Sequence, residues 1–425
     1  MILLNLWGNV MERKLSIFIA AFFIFLMLFI SVILISEYRN MDRLKSKNPS
    51  IPEKNYNYRK SALKLWAVNL VIKFLVPVLL LATGISNRIW LFAEGKGRNI
   101  FFAGIIYVVI FSIIDLLITL PTDYYGFVLR HRYGLSDQTI YRWLELNLKN
   151  FILNTIVFSL VIWFPYYLMR ISPNRWWLYL GLLAIPVIAF VNFISPTYID
   201  PIFNKYIAVD KENDDLGRDI KKLLDKAGVG DADIFIVDKS RDTNTLNAYM
   251  TGIWSSKRIV LWDTTVNKME REEVLSVTAH EIGHYVLGHI WKGIVLGGLF
   301  SVLLVYLIYK TSNWMLVRSN GSFGFTKIYS IASLPLFIFV LNMYMFLGNP
   351  IANFVSRHME READAYEINL TKDREAAISA MIKLSEESLS IPRPSEIYKI
   401  WFYTHPPVEE RIEFFEKVNI QEDSP

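Results

Sequence analysis

His280-Glu281-Ile282-Gly283-His284 sets two histidines four residues apart, with a glutamate directly after the first. On a helix, residues i and i+4 share one face, so both imidazoles reach a single Zn2+ at about 2.0–2.1 Å. Glu281 then falls beside the ion's open position, where it can take a proton from water. Such a pair arises by chance in some chains, so a third ligand decides the matter. His289 is near in sequence. Continuing the helix puts it about 140° from His284 and about 180° from His280, which predicts an interfacial histidine rather than a ligand. Residues 285–359 contain no Asp or Glu, so Glu360, in "SRHMEREADAYE", is the first acidic residue downstream. Asp364 follows it at i+4, so one carboxylate can face the metal while the other braces a neighbour.

These residues must be positioned by a chain that is 53% hydrophobic and 15% aromatic. Its apolar residues cluster in seven segments long enough to cross a bilayer: 15–36, 65–87, 99–120, 150–169, 176–198, 293–309 and 328–355. Arg13 and Lys14 precede the first, but no small-x-small site follows it before "EYRNMDRLK", so it reads as an uncleaved anchor. Asp115 interrupts an apolar run and is expected to line a hydrated interior; Lys73 either does the same or snorkels. The chain has no cysteine, which excludes disulfides, thiol catalysis and cysteine-bound zinc.

Two polar segments, about 199–289 and 356–425, are separated by two spans and therefore share one face of the membrane. Both can contribute to one site. The loop after span 1 carries Arg39, Arg43, Lys45, Lys47, Lys54, Arg59 and Lys60, and the next loop on that side carries Arg130, Arg132, Arg142 and Lys149. This asymmetry puts both polar segments in the cytoplasm. The net charge of +5 thus reads as orientation signals rather than a nucleic-acid footprint.

Residues 1–198 accordingly hold spans 1–5 and their loops. Residues 199–289 form the segment with the His280–His284 helix, 290–355 hold spans 6 and 7, and 356–425 carry the carboxylates and the His405-Pro406-Pro407 motif. "DDLGRDIKKLLDKAG" predicts an amphipathic helix, "DIFIVD" and "RIVLWDT" short strands, and "NKMEREEVLSVTAHEIGHYVLGH" one long helix. The tail "IQEDSP" reads as frayed.

In order along the chain, "LPTDYYGFVLRHRYGLSDQT", "PTYIDPIFNKY", "LNAYMTGIWSSKRIVLWDTT", "HEIGHYVLGH", "SRHMEREADA" and "THPPVEERI" resemble the CAAX prenyl protease 1 family of integral-membrane zinc endopeptidases. The resemblance implies an α-helical polytopic membrane protein, its seven transmembrane helices surrounding an intramembrane chamber. A small α+β zinc-peptidase domain would be inserted between spans 5 and 6 and completed by the C-terminal helices. It further implies one Zn2+ held by His280, His284 and Glu360, with Glu281 as catalytic base and Asp364 bracing the site from behind. Asn247 matches the position that holds the substrate backbone, His405 the one that stabilises the oxyanion, and Arg411 the partner of Asp364. The chain departs from the family pattern at Arg130, where an acidic residue is usual, and at Thr265, where Leu is usual; both positions read as peripheral.

Expected partners are the lipid bilayer and a peptide or protein substrate that is membrane-associated or prenylated, with no nucleic acid and no obligate protein partner. The expected location is the cytoplasmic membrane of a bacterium or the endoplasmic reticulum membrane of a eukaryote, with the zinc site facing the cytoplasm. Two alternatives are a bacterial protease for membrane-protein quality control and a transporter or channel with a structural zinc site. The intact Glu281 argues against a structural site, which needs no base.

Overall fold

The structure, a computed structural model, describes residues 11–47 and 51–419; the tail 420–425, read above as frayed, lies outside them. The chain first forms α1 (Arg13–Lys47), α2 (Glu53–Ala82), α3 (Ile85–Lys96), α4 (Ile100–Arg132), α5 (Ile140–Val161), α6 (Trp163–Ile171) and α7 (Trp176–Ile194). There follow β1 (Tyr206–Ala208), α8 (Asp215–Lys226), β2 (Asp233–Val237), β3 (Ala248–Thr251), β4 (Arg258–Trp262), α9 (Asp263–Lys268) and α10 (Arg271–Val286). The remainder is α11 (His289–Arg318), α12 (Leu334–Thr371), α13 (Arg374–Glu387), α14 (Glu396–Phe402) and α15 (Val408–Lys417).

Among the described residues, seven helices are long and apolar enough to cross a membrane: α1, α2, α4, α5 with α6, α7, α11 and α12. The break between α5 and α6 follows from Pro165, which has no N–H to offer the Val161 carbonyl. The second span is shorter at its end than the apolar run suggests. Gly84, at φ +67°, turns the chain after Ala82, and residues 85–87 begin α3 instead.

The spans close into a ring, in which α2 packs on α4, α4 on α5, α6 on α7, α7 on α11, α11 on α12, and α12 on α2. More than half of the apolar stretch of α12 is buried, but hardly any of that of α7. Most of the surface of α7 is thus left to lipid or to the space inside the ring. Asp115 on α4 and Lys73 on α2 are exposed. A first core of Phe22, Phe29, Phe74, Phe339 and Phe346 locks α1 to α2 and α12 by edge-on ring contacts.

The polar segments form one unit around a second core that includes Ile220, Leu224, Ile259, Leu261, Val274, Ile282, Ala377 and Phe415. The two segments expected to share a membrane face thus meet in space. Helix α8 forms as its periodicity predicts: the Asp214 side chain caps the Gly217 N–H at 2.8 Å, and Gly228 ends it in the left-handed region. The sheet order is β1-β2-β4-β3, with β2 and β4 parallel and the outer pairs antiparallel. Ile259, Val260 and Leu261 are all fully buried, as a central strand covered on both faces requires. Among the described residues β3 pairs only with β4, so that its other edge is open.

Candidate metal centre and catalytic cleft

Helix α10 begins with a reciprocal cap, in which Glu270 serves the backbone of Glu273 and the Glu273 carboxylate accepts the Glu270 N–H at 2.9 Å. Val274, Val277, Ala279 and Ile282 are buried. Gly283 lies where α10 crosses α12; a Cβ there would sit 3.1 Å from the Tyr366 side chain. The missing side chain lets the two helices approach, and so sets the histidines of α10 against the carboxylates of α12.

His280 Nε2 lies 3.1 Å from His284 Nε2 and 3.3 Å from Glu360 Oε2, and His284 Nε2 lies 3.4 Å from Glu360 Oε1. A tetrahedral zinc site with bonds of about 2.05 Å spaces its ligand atoms about 3.3 Å apart. Glu360 Oε2 is buried and, among the described residues, has no hydrogen-bond partner, an orphan that a cation would satisfy. The three residues therefore fit a metal ion, and their donor set of two imidazoles and a carboxylate suits zinc.

Behind His280, Asp364 Oδ1 lies 3.0 Å from Nδ1. Asp364 is in turn gripped by Arg411, whose Nε donates to Oδ2 at 3.0 Å and Nη2 to Oδ1 at 2.5 Å. All three are buried. Glu367, which the sequence reading did not single out, is fully buried here: one oxygen accepts from Ser276 Oγ and the other lies 3.4 Å from His280 Nδ1. The available signal was its spacing, since Glu360, Asp364 and Glu367 at i, i+4 and i+7 make one helical stripe.

His289 opens a candidate span, at the edge where an interfacial residue is expected, but not at the angle that one continuous helix gives it. The long helix expected over 267–289 ends at Val286, and Gly288, at φ +69°, turns the chain before α11 starts at His289 itself. Angles counted along one continuous helix do not survive that turn. His289 folds back instead, buried, with Nδ1 2.8 Å from His284 Nδ1.

The cleft in front of these groups has a volume of about 530 Å³ and is bordered by Ile188, Asn192, Asn247, Glu281, His405 and Gly293, so two spans contribute to its wall. Burial pushes the Glu281 carboxyl above its ordinary pKa, opposed by the neighbouring imidazoles. His405 is half-exposed at the mouth, with Nε2 3.4 Å from Glu360 Oε1 and Nδ1 2.8 Å from Thr404 Oγ1. Asn247 is exposed immediately before the open edge strand β3. Thr265 is not peripheral: fully buried, its hydroxyl accepts the Asn247 N–H at 2.9 Å and donates to the Asn247 carbonyl at 2.8 Å. Arg130, by contrast, is exposed.

Residues 210–419 match the model of peptidase family M48, and residues 47–205 match that of the CAAX prenyl protease N-terminal region with its five membrane helices. An uncharacterized metalloprotease of Bacillus subtilis, YhfN, is 34% identical over 353 residues, covering 83% of this chain and 82% of its own. CAAX prenyl protease 1 of Saccharomyces cerevisiae is 30% identical, covering 71% and 69% respectively. The human CAAX prenyl protease 1 homolog is 25% identical, covering 73% and 72%. The crystal structure of S. mikatae Ste24p superposes with a TM-score of 0.80 over 94% of this chain and 98% of that one, at 24% identity, and shares the fold.

Proposed function

We propose, from the premise that the chain belongs to peptidase family M48 and is an integral-membrane metalloprotease, that it binds one zinc ion through His280, His284 and Glu360 and hydrolyses polypeptides reaching the cleft from the membrane. The observation that carries this reading is the mutual approach of the three ligand groups to 3.1–3.4 Å, with Glu281 beside them on α10. When bound, zinc supplies the Lewis acidity that polarises a scissile carbonyl and makes water acidic enough to attack it. Glu281 takes the proton of the attacking water and passes it to the leaving amine. An extended substrate lies along the open edge of β3, where Asn247 holds its backbone and Thr265 holds Asn247. His405 donates a hydrogen bond to the developing oxyanion. Asp364 accepts the Nδ1–H of His280, and Arg411 keeps Asp364 ionised and in place.

The names of the yeast and human relatives point to the C-terminal segments of prenylated, CAAX-type proteins as substrates. A second reading, quality control of membrane proteins in a bacterium, stands beside it, because the 34% identity with a Bacillus subtilis metalloprotease, whose name gives no substrate, exceeds the 30% with the yeast CAAX prenyl protease 1. The basic loops between α1 and α2 and between α4 and α5 favour a zinc site on the cytoplasmic side, of the inner membrane in a bacterium or of the endoplasmic reticulum in a eukaryote.

The test compares purified wild type with Glu281→Gln. Both are expected to hold one zinc, and cleavage by the variant to fall by about 10²–10⁴-fold. Equal cleavage by a zinc-loaded variant would refute the assignment of the base. Because the chain has no cysteine, sidedness is read with single introduced ones. Glu416→Cys is expected to react only with a reagent that enters the cytoplasm, and Thr326→Cys with one that does not; the reverse pattern inverts the topology.

A further inference from the structure

We propose that His289 is a positioning residue for the metal site, fixing the tautomer and ring orientation of His284 through a chain that ends on Glu362. The inference rests on the reading of His284 as a metal ligand. His284 Nδ1 and His289 Nδ1 are 2.8 Å apart, with the rings inclined at 72°. His289 Nε2 lies 3.0 Å from Glu362 Oε2, and Lys292 Nζ donates to the same oxygen at 3.1 Å. His358 stands 3.9 Å from the other Glu362 oxygen.

The arrangement admits one placement of hydrogens. His284 turns Nε2 toward His280 and Glu360, and an imidazole that offers one nitrogen's lone pair to a cation carries its hydrogen on the other. His284 therefore donates from Nδ1, and His289 must accept there. The hydrogen of His289 is then on Nε2, aimed at a carboxylate that can only accept. Every donor in the chain has an acceptor.

The two histidines of α10 are thus braced differently. Nδ1 of His280 faces Asp364 directly, whereas Nδ1 of His284 reaches a carboxylate only through His289. The turn at Gly288 makes this possible, because it returns His289 over the end of the helix that carries His284. The bracing carboxylate and the lysine beside it belong to α12 and α11, so the orientation of His284 depends on how those two spans meet.

Two substitutions at one position separate hydrogen bonding from packing. His289→Phe fills the space and cannot accept, whereas His289→Gln can accept with its carbonyl and donate with its amide. Each purified full-length variant is loaded with zinc, and the ion is titrated away with a chelator to give an affinity that does not depend on turnover. His289→Phe is expected to weaken zinc binding by about 10–100-fold and to lower kcat with KM little changed, and His289→Gln to recover most of both losses. Wild-type zinc affinity in His289→Phe overturns the proposal. So does a His289→Gln variant that unfolds at the wild-type temperature yet binds as weakly as the Phe variant. Should neither fold, Glu362→Ala tests the chain from its far end, and unaltered affinity there refutes it. His284→Ala and Glu360→Ala in the same titration keep the two readings apart. Undiminished zinc in these refutes the ligand assignment itself, whereas their loss of zinc beside a normal His289→Phe refutes only the chain.

Discussion

Asp364 is shared between a guanidinium and an imidazole, and all three are withdrawn from water. Removing one member of such a buried pair costs more than the pair contributes, because the other charge is left without compensation. Arg411→Met is therefore expected to lower stability by about 3–5 kcal/mol. Zinc occupancy should fall with it, since Asp364 then has only His280 to hold it. Denaturant unfolding in detergent, read beside metal content, checks both; unchanged unfolding would show that Arg411 does not carry the pair. Arg411→Lys should not restore the site, because an ammonium cannot bond both carboxylate oxygens side by side. That Glu360 and Asp364 stand beside His280 was legible because the 75-residue stretch 285–359 holds no acidic residue, which makes Glu360 the first downstream and Asp364 its i+4 neighbour. Glu367 lies on the same stripe but was not singled out. Its role depends on a serine of another helix, Ser276, which no spacing within α12 reveals.

The elements that were legible are those whose pattern is set by one neighbour or by covering on both sides. Helix α8 has a single buried stripe, and β4 is an unbroken apolar run. β1 was not read, because three residues with only one partly buried give no period to detect. Helix α10 shows a different failure. Its start was marked by acidic residues, but its end depended on Gly288 adopting a left-handed turn, and a glycine among apolar residues fits a helix interior as readily. The angle counted for His289 along one helix failed for that reason alone. The crossing at Gly283 yields a sharper expectation. Gly283→Val forces α10 away from Tyr366, and overpacking of this kind costs about 1–3 kcal/mol. Separating the histidines from Glu360 should also weaken zinc binding, so metal affinity and thermal stability, measured together, should both fall. A variant with unaltered metal affinity would show that the crossing does not set the site.

At the scale of the whole molecule, the ring of spans was not legible from spacing, because a list of apolar runs does not say which helices touch. The join between membrane and protease is likewise a matter of long-range contacts. Arg142, buried at the start of α5, donates from Nε and Nη2 to Asp242 at 2.9 and 3.1 Å and from Nη2 to the Phe203 carbonyl. The loop between α4 and α5 adds Ser136 and Gln138 to the same aspartate. This clamp lies five residues before Asn247, so the strand that would meet a substrate is tied to the spans. A more direct tie is α12, whose 38 residues carry the seventh span and then Glu360 without interruption. The rod is about 57 Å long, and a change in tilt of about 3° about its far end would sweep Glu360 sideways by about 2 Å. Helices meet a thicker or thinner bilayer by changing tilt. Pivoted at that far end, the seventh helix acts as a lever with Glu360 far along its arm, and the protease is expected to respond to the thickness of the membrane that holds it. Cleavage of a soluble peptide by protein reconstituted in lipids of graded acyl length should pass through an optimum; a flat response would mean that the lever does not move.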